Sequence, residues 1–176
     1  MAHEPIHPSF DFSDKGRGYA DLATSLHSLL EGERNLIANL ANTAALIYHA
    51  LPDLNWAGFY LIGPNAQNVA TPELILGPFQ GKTACVRIAI GKGVCGTAAA
   101  TRETQLVPDV HTFPGHIACD SASNSEIVIP MIFSNGPRLG ELLGVLDLDS
   151  PLLARFDEQD QQGLEAIVSI LMAASE

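Results

Sequence analysis

Positive charge is what this sequence has least of. Nine Lys and Arg stand against twenty Asp and Glu, a formal charge of -11 and a pI near 4.8, the wrong sign for gripping phosphate backbones or an anionic lipid surface. Nucleic acid is therefore not an expected partner. Long apolar runs are lacking too: no uninterrupted stretch reaches the ~18 residues of a membrane span. The opening MAHEPIHPSFDFSDKGRGYADL has neither the basic start nor the apolar core of a secretory signal. No membrane association is expected, and the chain reads as cytoplasmic. Cysteine is scarce and odd in number, with Cys85, Cys95 and Cys119, which argues against a disulfide scaffold in a reducing compartment. No C-x-x-C, H-E-x-x-H or Cys/His pairing at zinc-ligand spacing occurs, so no metal is expected, and one would have to be held by residues scattered along the chain. Internal repeats and low-complexity segments are absent as well.

Apolar material is ample. Hydrophobic residues make up 47% of the 176-residue chain and charged residues 16%, enough to build one core and too short a chain for two domains of ordinary size. Residues 1–18, with Pro5, Pro8, Gly16 and Gly18, read as an irregular N-terminal arm, and 19–176 as a single domain. Two helices follow the arm. In the second, Leu36, Leu40, Ala44, Ile47 and Leu51 recur every three or four residues and Pro52 ends the pattern. Then come short apolar runs divided by Gly, Pro and Asn: NWAGFYLI, ELILGPF, ACVRIAI, QLVPDV, EIVIPMIF and ELLGVLDLD, which read as strands of one sheet. A last helix starts near Asp157, its acidic DEQD suited to the positive end of a helix dipole, with Leu164, Ile167, Val168 and Leu171 on its apolar face. This order predicts a mixed α/β (α+β) layer fold around a largely antiparallel sheet.

Strand side chains alternate, so parity sorts each run into faces. In ACVRIAI, Ala84, Val86, Ile88 and Ile90 share one face, and Cys85 shares the other with Arg87 and Ala89. Cys85 is then either a small filler near a sheet surface or a thiol kept for chemistry. In GVLDLD, Leu146 and Leu148 point one way while Asp147 and Asp149, roughly 7 Å apart by the rise of a strand, point the other. The two carboxylates either face water or line an anionic pocket suited to an ammonium group. In NWAGFYLI, Trp56, Gly58 and Tyr60 share a face, and glycine between the rings leaves a notch for a small ligand or a cation, unless ordinary packing fills it.

Cys95 lies in GKGVCGTAAATR, where Gly91, Gly93 and Gly96 permit a tight turn and the alanines favour a helix start. Backbone N–H groups there suit a carboxylate, and a helix N-terminus is expected to lower the Cys95 thiol pKa. Cys119 stands in the polar segment from His111 to Glu126, beside Asp120 and downstream of His116. A loop of that composition exposes the thiol, a liability in the cytosol unless it is used.

With these residues assembled, the chain resembles the free methionine-(R)-sulfoxide reductases, stand-alone GAF-domain enzymes. The likeness runs from the second helix onward and is carried by NWAGFYL at 55–61, LGPFQGKTAC at 76–85, IGKGVCGTAA at 90–99, VPDVHTFPGHIACDSASNSEIVIP at 107–130 and GVLDLDSP at 144–151. It implies a GAF-like fold, a central antiparallel sheet with helices packed on one face. It places the nucleophile on Cys119, candidate resolving thiols on Cys85 and Cys95, substrate-binding carboxylates on Glu126, Asp147 and Asp149, and an aromatic pocket on Trp56 and Tyr60.

The implied activity is reduction of free L-methionine-(R)-sulfoxide to methionine under oxidative stress. A Cys119 thiolate attacks the sulfoxide sulfur while an acid protonates the oxygen, and close carboxyls push one another toward the neutral, proton-donating form. Cys119 is left as a sulfenic acid, which a second thiol condenses into a disulfide that thioredoxin reopens. No bound cofactor is implied. A disulfide needs Cα atoms within about 7 Å, and the sequence does not say which of Cys85 and Cys95 meets that condition. Carboxylates that grip a free ammonium exclude a peptide-bound residue. The arm and helices leave a twofold homodimer open. The rival reading is a non-enzymatic GAF module that binds a small molecule or senses redox state through the same thiols. Against it stand three cysteines near ligand-facing positions and a chain that ends soon after its last helix, without an output domain.

Overall fold

A computed structural model describes residues 9–65, 67, 71–115 and 121–175. In chain order the elements are α1 (Lys15–Leu30), α2 (Leu36–Ala50), β1 (Trp56–Pro64), β2 (Pro72–Gly81), β3 (Arg87–Ala89), α3 (Gly93–Thr101), β4 (Gln105–Val107), β5 (Ser125–Ile132), β6 (Leu142–Ser150) and α4 (Glu158–Ser175). Helix α1 begins inside the stretch expected to be irregular. The Asp14 side chain caps it by accepting from the Arg17 N–H, and Gly18 fits where any Cβ would meet the Phe12 ring at 2.8 Å. In α2 the Asn35 side chain caps the start, and the expected stripe buries Leu40, Ala44 and Ile47.

The strands form one six-stranded sheet in the order β3-β2-β1-β6-β5-β4, and each described pairing is antiparallel. The third run is shorter than its composition suggests, pairing only over Arg87–Ala89. Parity therefore fails before residue 87. Val86, expected with the buried Ile88, is 63% exposed, and Cys85 packs at the margin of an apolar cluster rather than beside Arg87. Arg87 instead pairs with Glu73 across the edge.

The two faces of the sheet do different work. One face presents Ala57, Phe59, Ile127, Ile129, Met131, Leu146 and Leu148 to α1, α2 and α4 in one buried cluster. That matches the expected helical layer. On the other face, Trp56, Tyr60, Val128 and Val145 pack with Val94, Cys95 and Ala98 of the short α3, which covers that side alone among the four described helices.

A buried ionic knot ties α1 to α4. Asp160, with no exposed surface, accepts from the Tyr19 hydroxyl at 2.9 Å, Lys15 Nζ at 2.5 Å and Arg155 Nη1 at 3.3 Å. The Asp157 side chain caps α4 by accepting from the Gln159 and Asp160 N–H groups. Gly163 completes the junction, because a Cβ there would lie 2.1 Å from the Tyr19 ring. The acidic start of α4 thus serves as cap and ion partner as well as complementing the dipole.

Candidate functional site

Register puts the acidic residues side by side. Trp56 of β1 pairs with Asp149 of β6, and Asp149 pairs in turn with Glu126 of β5. One row further along, Gly58 faces Asp147 and Asp147 faces Val128. Strand alternation sends Leu146 and Leu148 into the helical core and turns the intervening acids to the α3 face. There Glu126, Asp147 and Asp149 line a pocket with Trp56, Tyr60 and Cys95. The pocket is partly open to solvent.

Helix α3 delivers Cys95 into this pocket. Its start lies against β3 because Gly96 has no side chain: a Cβ would meet the Ala89 carbonyl oxygen at 2.4 Å. Gly91 and Gly93 take φ of +81° and +60°, the left-handed region that glycine enters without strain. The expected glycine turn is borne out. The expected acidification of Cys95 is not. Burial first, then the charges of Asp147 and Glu126, push the thiol pKa well above its ordinary value, overriding the half charge of a helix N-terminus. Cys95 stays a thiol, its Sγ 3.9 Å from Glu126 Oε1, close enough for S–H to donate.

The carboxyls shift the same way. Burial, then the charges of Asp147 and Asp149, raise Glu126 well above the usual carboxylate range, and burial lifts Asp147 to about 7 against the opposing hydrogen bonds from Cys95 and Glu126. Near neutral pH the pair keeps a proton between them. Asp147 is 6% exposed, and its buried Oδ1 has no hydrogen-bond partner, an acceptor left for something that enters the pocket. Tyr60, buried beside these acids, has its phenol pKa raised for the same reasons. Lys92, exposed at the N-cap of α3, brings a cation to the pocket wall.

The aromatic wall is more fully packed than its alternation suggests. The Trp56 ring stacks on Phe79 at 5.3 Å and on Tyr60 at 5.8 Å between centroids. A Cβ on Gly58 would lie 2.3 Å from Phe79 Cβ and 2.6 Å from Trp56 Cη2. Of the two readings of the notch above Gly58, packing holds: Phe79 and the edge of Trp56 take the space. The rings also hold the loop that carries Cys85: Trp56 Nε1 donates to the Lys82 carbonyl at 3.1 Å and the Tyr60 hydroxyl to the Cys85 carbonyl at 3.0 Å. Cys85 is disulfide-bonded and Cys95 is a free, buried thiol.

The structure thus brings Trp56, Tyr60, Cys95, Glu126, Asp147 and Asp149 to one pocket, with Cys85 on the loop just behind the rings. Cys119, with its neighbours His116 and Asp120, lies outside the described residues. Parity did not reveal Lys92 or Ser123, which also line the pocket. Ser123 accepts at 3.0 Å from the side-chain amide of Asn55, a pairing across sequence that no local pattern signals. Cys95 Sγ and one carboxylate oxygen each from Glu126 and Asp147 lie within 4.8 Å of one another, a donor set able to hold a cation.

A sheet with its ligand-facing acids under a short helix and its long helices on the reverse is the architecture of a GAF domain, and a family model described as GAF domain matches residues 23–174. Among curated proteins, the free methionine-R-sulfoxide reductase of Escherichia coli (strain K12) is 51% identical over 158 residues, 90% of this chain and 88% of that protein. Among solved structures, the free methionine-R-sulfoxide reductase of Neisseria meningitidis in complex with its substrate is 43% identical, with a TM-score of 0.84, over 97% of this chain and 96% of that one. The fRMsr of Staphylococcus aureus in complex with substrate is 49% identical, with a TM-score of 0.79, over 90% and 95%. The chain belongs to the free methionine-R-sulfoxide reductase family of GAF-domain enzymes.

Proposed function

We propose that this protein reduces free L-methionine-(R)-sulfoxide to L-methionine in the pocket between α3 and the sheet. The observation that carries the reading is the buried pair Glu126 and Asp147, with the half-buried Asp149, beside the rings of Trp56 and Tyr60, in a chain of this family. A free amino acid offers an ammonium group for the acids and a methyl group for the rings. Asp147 and Asp149 hold the ammonium, with the open Oδ1 of Asp147 as one acceptor. Lys92 at the wall suits the substrate carboxylate. A peptide-bound methionine has neither terminal charge, so the acids would stay buried without a partner.

Glu126 is the proton donor in this reading. It is 6% exposed and held protonated by burial and by its acidic neighbours. The Cys119 thiolate attacks the sulfoxide sulfur; the S–O bond breaks, the oxygen and one proton end on Cys119 as a sulfenic acid, and methionine leaves. The Cys85 thiol then attacks that sulfur, forming a disulfide and releasing water, and a thioredoxin-type dithiol reduces the disulfide by exchange. Two facts favour Cys85 over Cys95 as the resolving thiol. Cys85 is disulfide-bonded while Cys95 is free, and burial beside two acids keeps Cys95 a poor nucleophile.

NADPH consumption coupled through thioredoxin reductase and thioredoxin tests the reading, with the free R sulfoxide, the free S sulfoxide and a peptide-bound sulfoxide as separate substrates. Turnover of the free R epimer alone is expected. Equal turnover of the peptide-bound form would refute the role given to the acids, and no turnover of any of them would leave a ligand-binding GAF module.

A further inference from the structure

Cys95, Glu126 and Asp147 are a donor set as well as a substrate cradle. We propose that this pocket binds a thiophilic divalent cation such as Zn²⁺ through Cys95 Sγ, Glu126 and Asp147, and that the ion and the substrate ammonium exclude one another. The sequence offers no metal motif; the fold assembles the set from α3, β5 and β6.

Geometry carries the proposal. Tetrahedral zinc, with bonds of about 2.3 Å to sulfur and about 2.1 Å to oxygen, places its S and O ligands about 3.6 Å apart and its O ligands about 3.4 Å apart. Here Sγ and Glu126 Oε1 are 3.9 Å apart, and all three donor atoms fall within 4.8 Å. Side-chain movements of a fraction of an ångström to about 1 Å close the set. The second, independent observation is the Asp147 oxygen: Oδ1 is buried in a 6% exposed residue and accepts no hydrogen bond. A buried carboxyl oxygen without a donor is open to a cation, and one thiolate with two carboxylates would supply the charge and softness that Zn²⁺ selects. The pocket is partly open to solvent among the described residues, which would leave a fourth position for water. Binding releases two protons to buffer, one from the Cys95 thiol and the one held between Glu126 and Asp147, leaving a thiolate and two carboxylates on M²⁺.

The test uses the Cys85→Ser/Cys119→Ser variant, in which Cys95 is the sole thiol and no disulfide forms. Co²⁺ is the probe, read by a thiolate-to-cobalt charge-transfer band in the near ultraviolet and by tetrahedral bands in the visible. One equivalent per chain is expected. Zn²⁺ should displace it, Cys95→Ser added to this background should abolish the charge-transfer band, and Asp147→Asn should weaken binding at least tenfold with the far-ultraviolet circular dichroism unchanged. Absence of the band at millimolar Co²⁺, or a band that survives Asp147→Asn at full affinity, would overturn the proposal. Titration of the cobalt-loaded variant with free methionine-(R)-sulfoxide should erase the band. A band indifferent to saturating sulfoxide would refute mutual exclusion. These spectra are independent of turnover, so a failure of the assigned reaction and a failure of the metal site would be told apart.

Discussion

Replacing Asp147 by Asn should make this protein more stable, and by an amount that depends on pH. The fold raises the Asp147 carboxyl from 3.8 to about 7, chiefly through burial. Below 3.8 the folded and unfolded chains are both protonated there, and the residue costs nothing. As pH rises from 3.8 to about 7 the unfolded chain releases its proton while the folded chain keeps it, so folding loses stability. Above 7 the loss is complete. Each tenfold change in proton affinity is worth about 1.4 kcal/mol, so the gap between 3.8 and about 7 sets a ceiling of about 4 kcal/mol at pH 8 and about 2 kcal/mol at pH 5. Asn carries no charge at either pH, and the weakened bonds to Glu126 and Cys95 take back about 1–2 kcal/mol at both. The expected signature is a stabilisation that grows by about 2–3 kcal/mol between pH 5 and pH 8. In a chain of this size that is a change in ΔTm of roughly 4–12 °C. Thermal unfolding followed by circular dichroism, under reducing conditions with a chelator present, reads it directly. A gain that is the same at both pH values, or a variant less stable than the parent at pH 8, would refute the argument that Asp147 is a buried, strained acid.

Cys119→Ser should abolish reductase turnover, and Cys85→Ser should still yield one methionine per chain in a burst while its thioredoxin-driven steady rate falls at least tenfold; a full steady rate in Cys85→Ser would exclude Cys85 as the resolving thiol. Gly58→Ala should cost about 1–3 kcal/mol, because its Cβ would enter the space held by Phe79 and Trp56, and denaturant titration with an unchanged midpoint would show that the aromatic wall yields freely. Asp160→Ala strips the partner from Arg155, whose side chain is 8% exposed, and from Tyr19. A loss of about 3–5 kcal/mol is expected, and a midpoint shift worth less than 1 kcal/mol would mean that the knot between α1 and α4 is structurally neutral.

Regular strands made the site partly legible. In β6 the alternation of Leu146, Asp147, Leu148 and Asp149 assigned both faces correctly, because every residue there is paired on both sides. Alternation failed at Cys85 and Val86, since residues 84–86 precede the three residues that pair and period-2 logic holds only where a ladder imposes it. Alternation alone leaves open whether the notch beside Gly58 is filled, because its occupant, Phe79, comes from the neighbouring strand β2. For Cys95 the local signal pointed the wrong way. A helix N-terminus supplies about half a positive charge, while the sheet delivers two acids from residues 126 and 147, far along the chain. Tertiary electrostatics decided that thiol, and no window around Cys95 contains it. Glu126 came from family resemblance alone, its place beside Asp149 being a matter of β5–β6 register.

The two faces of the sheet explain how the domain tolerates a buried acid cluster. On the helical side, β6 inserts Leu146 and Leu148, both fully buried, into a core shared with α1, α2 and α4. Truncating either to Ala should cost about 2–5 kcal/mol, comparable to the ceiling worked out for the charge on Asp147. From Leu146 to Leu148 the strand thus carries stabilising and destabilising side chains in turn, and substitution there should alternate in sign: loss at Leu146, gain at Asp147, loss at Leu148. That pattern is what a ligand pocket requires if its acids are kept for a partner that arrives from solution. A sheet whose acids served structure would lose stability at all three positions.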